Sequence, residues 1–183
     1  MGFTIDASKA DDGNSGGGSF SKPAYMTEGK KLVWAAGIDW GESKAGNVKI
    51  DVRFACVQDP SGKDVGNQVW DTFTLTERAA WKVHQYARAA GQTEPFESDD
   101  KDAFEEMLSR RPVWTELVLE TRQNGDQKPR PSTYSIFKGE ITEEMDQVAR
   151  EMEDYHQKGK EYMSNKGKAN YGTSPTVDDN IPF

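Results

Sequence analysis

The stretch from Val48 to Cys56 constrains the fold more than any other. Val48, Ile50, Val52, Phe54 and Cys56 alternate with Lys49, Asp51, Arg53 and Ala55. Side chains on a strand point to opposite faces in turn, so this pattern asks for one covered face and one polar face. The same period runs through Leu32, Trp34, Ala36, Ile38 and Trp40, with the polar turn Gly41–Gly46 between the two runs. Asp59-Pro60-Ser61-Gly62 opens a second turn. Val69–Leu75 then reads as a third strand, with Val69, Asp71, Phe73 and Leu75 on one side.

Helical signals follow. Thr76 suits an N-cap for a helix running to about Ala90 and closed by Gly91. Lys101–Arg111 predicts a short helix with Phe104, Met107 and Leu108 inward, stopped by Pro112. Val113–Arg122 is a fourth strand, Asn124-Gly125 begins a loop, and Tyr134–Lys138 is a fifth. Three strands, a helical insert and two strands suit either a small five-stranded Greek-key barrel or an open sandwich. The barrel with its helix between the third and fourth strands is the oligonucleotide/oligosaccharide-binding (OB) arrangement. The expected class is therefore mainly β: an OB-type Greek-key barrel, a C-terminal helix and disordered tails.

Four segments are expected. Residues 1–29, with GNSGGGS and no periodic apolar residues, read as a flexible N-terminal arm. Its Gly run is not followed by Gly-Lys-Ser/Thr, so it is no phosphate-binding P-loop. It also lacks the basic and apolar regions of a signal peptide. Residues 30–139 hold the OB-like domain. Residues 140–164 form an amphipathic acidic helix, with Ile141, Met145, Val148, Met152, Tyr155, Gly159 and Tyr162 spaced alternately by four and three. That stripe would pack on the barrel or form a coiled-coil seam joining copies of the chain. Residues 165–183 read as a disordered tail.

Charge is unevenly spread. The chain carries 23 Lys+Arg against 31 Asp+Glu, net −8. Residues 30–139 hold 16 against 17, whereas residues 140–183 hold 5 against 10. The acidic whole-chain balance therefore does not describe the central domain. One cysteine and two histidines leave no disulfide framework and no zinc cluster, and no cofactor is implied. Cys56 shares a strand face with Val52 and Phe54, so it should be buried and inert. Asp99, Asp100, Asp102, Glu105 and Glu106 form an acid cluster that a nuclease would use for Mg²⁺. They also sit where a helix N-terminus favours acids. No nucleophile motif stands out, and His84 falls within a predicted helix. An enzyme is not expected.

All five tryptophans, Trp34, Trp40, Trp70, Trp81 and Trp114, lie within residues 30–139. Single-stranded nucleic acid is bound by flat rings that stack bases and by cations along the phosphate path. Trp70 should point outward if Val69 and Phe73 point inward, and Trp40 enters the first Gly-containing turn. Lys49 and Arg53 lie on the polar face of the second strand. Arg122, Lys128, Arg130 and Tyr134 surround the loop between the last two strands, which borders the ligand groove in such barrels. Trp34 and Trp81 fit the core better, Trp34 sharing a face with Leu32 and Ile38.

The chain ends Val177-Asp178-Asp179-Asn180-Ile181-Pro182-Phe183. This tip resembles the acidic C-terminal tip of bacterial single-stranded-DNA-binding proteins, although it has two aspartates and then Asn180 where those proteins carry a longer acidic run. A tail of this kind offers an aromatic ring, a free carboxylate and acids to an apolar pocket with a basic rim. The stretches Asn47–Phe54, Val69–Leu75 and Phe104–Arg111 are similar to a phage-encoded family of predicted single-stranded-DNA-binding and recombination-associated proteins. The resemblance implies an OB barrel without enzymatic activity, acting in the cytoplasm of a bacterial host. It also implies that Asp178, Asp179, Ile181, Pro182 and Phe183 recruit replication or recombination proteins. The rival expectations are an adaptor or decoy that fills tip-binding pockets of host proteins without binding DNA, and a barrel that binds oligosaccharide or protein.

Overall fold

A computed structural model of the chain describes residues 23–121 and 125–169, the last five by backbone alone. Residues 1–22 of the expected arm, Arg122 and the tip residues Asp178, Asp179, Ile181, Pro182 and Phe183 lie outside the described residues. Five strands, β1 (Gly29–Glu42), β2 (Val48–Gln58), β3 (Gln68–Thr74), β4 (Val113–Thr121) and β5 (Gln127–Ile136), form one antiparallel sheet in the order β3-β2-β1-β4-β5. Helices α1 (Ala80–Ala89) and α2 (Lys101–Ser109) lie between β3 and β4, and α3 (Glu143–Ala169) follows β5. Among the described residues, no helix is long and apolar enough to cross a membrane.

The alternation in β2 does what it promised. Ile50, Val52, Phe54 and Cys56 are fully buried in the main core with Val69 and Phe73 of β3. The other side of that core comes from Tyr86 and Ala89 of α1 and from Phe104, Met107 and Leu108 of α2. Burial pushes the Cys56 thiol up to about 12, so it stays a thiol at neutral pH. Val48, at the entry of the strand, is exposed instead.

β1 departs from its simple alternation. Ala35 pairs with Phe54 and Gly37 with Arg53, so Ala36 is an extra residue, a bulge. It changes the face on which even-numbered residues point. Leu32, Trp34 and Ala36 face away from the main core, whereas Ile38 and Trp40 pack against it. The expectation that Trp34 shares a face with Ile38 is corrected accordingly. A second irregularity, at Leu32/Val33, lets Val57 join Leu32 on the outer face.

That outer face carries α3. Met145, Val148, Ala149, Met152 and Tyr155 pack on Leu32, Ala36, Ala55 and Val57 of β1 and β2. The apolar stripe thus covers the chain's own sheet rather than standing free as a seam between copies. Tyr162 and Met163, beyond the sheet contact, are exposed.

The backbone ladder does not close into a barrel, since no pairing joins β3 to β5 among the described residues. The two edges meet through side chains. The Asp71 carboxylate on β3 accepts from the Tyr134 hydroxyl on β5 and from the Lys82 ammonium on α1, each at 2.5 Å. All three side chains are buried. At the other end of the gap, residues expected in the arm lie beside β3. Tyr25 bridges Gln68 in parallel, and Met26 N–H donates to the Gln68 carbonyl at 3.0 Å. Met26 is 2% exposed, and Thr27 donates through both N–H and hydroxyl to Asp64. Lys31 closes this corner with ion pairs of 3.0 Å to Asp59 and 2.8 Å to Asp64. Tyr25, Met26 and Thr27, expected in the arm, are thus packed against β3 and the β2–β3 turn.

β5 begins seven residues before its expected start. Pro129 and Pro131 hide it in the sequence, but β5 is an edge strand, where a missing N–H need not break a ladder. Both helices of the insert form, but Thr76 is corrected as the cap of α1: the helix starts only at Ala80, with Ala79 at its N-cap and no side-chain cap bond, because residues 76–79 make a turn first. The αL conformation of Gly91 (φ 77°) ends α1, and the Asp100 side chain caps α2 by accepting from Ala103 N–H at 3.0 Å.

Candidate nucleic-acid interface

The outer faces of β2 and β3 put three of the expected contact residues together. Lys49 pairs with Thr74, Asp51 with Thr72 and Arg53 with Trp70 in direct cross-strand register. The Lys49 ammonium lies 2.5 Å from Asp51 Oδ2, and the Thr72 hydroxyl donates to Asp51 Oδ1 at 2.5 Å. The Arg53 guanidinium lies over the Trp70 ring, 4.5 Å from its centroid. An arginine plane on an indole is a stack that a nucleobase can extend or replace.

Helix α3 hems this pair in. Tyr155 of α3 lies on the other side of Arg53, its ring centroid 5.4 Å from the guanidinium carbon. His156 meets Trp70 edge-on, with ring centroids 5.9 Å apart. Arg53 Nε and Nη1 are buried, and no described group accepts a hydrogen bond from them. Burial pulls the Arg53 pKa down from its ordinary value, against the opposing pull of Tyr155, Asp39 and Tyr25. Burial, helped by Arg53, also lowers that of His156, although Asp39 pulls it up. His156 Nε2 is 3.4 Å from Asp39 Oδ2 but is not hydrogen-bonded to it.

The remaining expected residues fall elsewhere. Lys128 on β5 lies 5.1 Å from the ring centroid of Tyr25, which itself borders the start of β3. Lys128 of β5 and Tyr25 beside β3 thus meet at the β3–β5 gap. Arg130 forks onto Glu120 at 2.9 and 3.1 Å, so its charge is already engaged at the surface. Tyr134 is corrected from an interface residue to a core one. It is 4% exposed and packs between Phe54, Phe73 and Tyr86, leaving no ring face for a base. Trp40 lies on the inner side, opposite Ile50. Its indole N–H donates to Glu105 at 2.9 Å, its ring meets Phe104 edge-on, and Lys101 lies over it. It is not part of the Arg53–Trp70 group.

The other tryptophans divide against expectation. Trp34 is half-buried and donates to the Ser109 carbonyl at 2.7 Å, as a core ring should. Trp81 is 60% exposed, because α1 turns Lys82, Tyr86 and Ala89 inward instead. The acid cluster around α2 is spent locally. Asp100 caps the helix, Glu105 takes the Trp40 N–H and Glu106 takes Arg110. Among the described residues, no group of three or more His, Cys, Asp or Glu is arranged to hold a metal.

Sequence reasoning missed Tyr25, Tyr155 and His156 as neighbours of the interface. Tyr155 was visible in the helical stripe, but nothing in that stripe says which strands it meets. Tyr25 sits in a glycine-rich context whose only ordering cue is Pro23. Together, Lys49, Arg53 and Trp70 of β2–β3 and Tyr155 and His156 of α3 make an aromatic and cationic patch on the outer face of the sheet. No protein-family model matches the chain, and no curated protein matches it in sequence.

Proposed function

We propose that this chain is a non-enzymatic single-stranded-DNA-binding protein of the OB type, working in the cytoplasm of a phage-infected bacterium. The observation that carries the proposal is the Arg53–Trp70 stack on the outer face of β2–β3, flanked by Lys49, Thr72 and the Tyr25–Lys128 pair. The strand order, with helices between β3 and β4, supports a Greek-key barrel. In it the last edge-to-edge closure is made by Tyr134–Asp71–Lys82 instead of a ladder. Rings there supply stacking that any base satisfies, and cations supply sequence-independent attraction to phosphate. The tip Asp178–Phe183 recruits replication or recombination proteins. A fluorescein-labelled dT 20-mer followed by anisotropy tests the proposal. Trp70→Ala should weaken binding by about 1–3 kcal/mol, whereas Trp81→Ala, on the opposite side of the sheet, should not. Equal effects of the two substitutions would remove Trp70 from the interface.

A second reading has its own observation. A cavity of about 630 Å³ lies between α1 and residues 92–98, floored by Leu75, Val83, Ala87, Phe96 and Phe104 and edged by His84 and Arg88. That favours an adaptor that holds an apolar peptide. Binding of protein partners with no affinity for the labelled dT 20-mer would select it.

A further inference from the structure

We propose that the C-terminal half of α3 is a built-in cover on the DNA face, with Tyr155 seated where a base would stack and residues 153–164 displaced when single-stranded DNA binds. This rests on the DNA-binding reading of the Arg53–Trp70 face.

Three observations converge on it. Tyr155 and Trp70 flank the same guanidinium, at 5.4 and 4.5 Å, so an aromatic ring from α3 already occupies one stacking position. The cover is chemically incomplete. It desolvates Arg53 Nε and Nη1 without giving them an acceptor, and buried unpaired donors of a cation are costly. A phosphate oxygen arriving at that position would satisfy them; the tyrosine ring does not.

The cover is also held lightly at its far end. The first half of α3 is anchored by Met145, Ala149 and Met152 in the outer-face cores. Beyond His156 the described side chains are mostly exposed, and the attachment is Lys160, which pairs with Asp39 at 2.5 Å and donates to the Ile38 carbonyl at 3.2 Å. Gly159 adds a weak point, since glycine within a helix is less favourable than alanine. Segments with few buried contacts open first.

Gly37, which pairs with Arg53 in the β1–β2 register, provides a means to test the idea without replacing a side chain of the DNA face. A Cβ at this bulge position would lie 2.6–2.9 Å from the His156 ring. Its φ is not in the left-handed region, so Gly37→Ala is tolerated by the backbone and acts as a wedge under α3. Lys160→Ala releases the same segment from above.

The experiment uses the full chain with the dT 20-mer. Amide hydrogen exchange is measured with and without DNA, and affinity is measured for wild type, Gly37→Ala and Lys160→Ala. DNA should speed exchange in residues 153–164 while leaving 143–150 protected. Both variants should bind at least about five-fold tighter, because removing a cover raises the competent fraction. Binding by the variants but not by wild type would support the cover in its strongest form. DNA binding with exchange in 153–164 unchanged or slowed, and with variant affinities equal to wild type, would overturn the cover while leaving the DNA-binding reading standing. If no form binds DNA, both fall. Should Gly37→Ala fail to fold, Lys160→Ala and the exchange data decide alone.

Discussion

Asp71 is the residue on which most of the sheet's edge depends. Its carboxylate is 3% exposed and takes both the Lys82 ammonium and the Tyr134 hydroxyl, tying β3, β5 and α1 together. Removing one partner of such a pair leaves a buried charge without compensation, which costs about 3–5 kcal/mol. Asp71→Asn should therefore lower the unfolding free energy read from urea titration by that amount, and Asp71→Asn with Lys82→Met should recover part of it. An Asp71→Asn protein as stable as wild type would mean that the edges do not need this contact. The alternation of β3 placed Asp71 on the apolar side, but not its partners, because Lys82 and Tyr134 come from distant segments. Trp81 shows the opposite failure. The helix was legible, yet its phase was not, since Lys82 rather than Trp81 is drawn inward by Asp71.

At the scale of elements, β2, β3, β4 and α2 could be read from periodicity and caps, and α1 from its closing glycine but not from its N-cap. β5 could be read only in its last third, because prolines 129 and 131 mimic a loop wherever the free edge of a sheet cannot be foreseen. The bulge at Ala36 had no sequence mark except Gly37, whose role depends on His156 more than a hundred residues later. That packing makes α3 pH-sensitive. His156 faces Arg53 from β2, Asp39 from β1 and Lys160 from its own helix, and burial with Arg53 lowers its pKa below the ordinary 6.5. The unfolded chain then binds more protons than the folded one as pH falls through about 6.5, so stability drops on acidification. The urea midpoint should be lower at pH 5.5 than at pH 7.5, and His156→Gln should flatten the difference. Asp59 and Asp64, held below the usual carboxylate range, add their own loss only below about pH 4. An undiminished slope in His156→Gln would assign the effect elsewhere.

Across the whole molecule, charge is partitioned along the chain. Residues 30–139 are nearly neutral, while residues 140–183 are net −5 and include Asp178 and Asp179. Tethered acids compete with phosphate for the same cations at high effective concentration. Deleting Asp178–Phe183 should tighten DNA binding at low salt, with the gain shrinking as salt screens the attraction. Phe183→Ala should weaken partner binding and leave that competition nearly unchanged. A deletion that changes neither would make the tip dispensable. The tip lies outside the described residues, and the candidate interface was legible in the sequence only as a list of residue types. Lys49, Arg53 and Trp70 were brought together by strand register, and Trp40 and Tyr134 were removed from it by the same register.

The most direct test of the account is a titration of the full chain's tryptophan fluorescence with oligo-dT of 20 or more bases at two salt concentrations. The account predicts quenching, with affinity falling as salt rises. In Arg53→Ala the slope of log K against log salt should be smaller by about 0.7. No quenching and no bound complex at low salt, in wild type and in Gly37→Ala and Lys160→Ala alike, would contradict it.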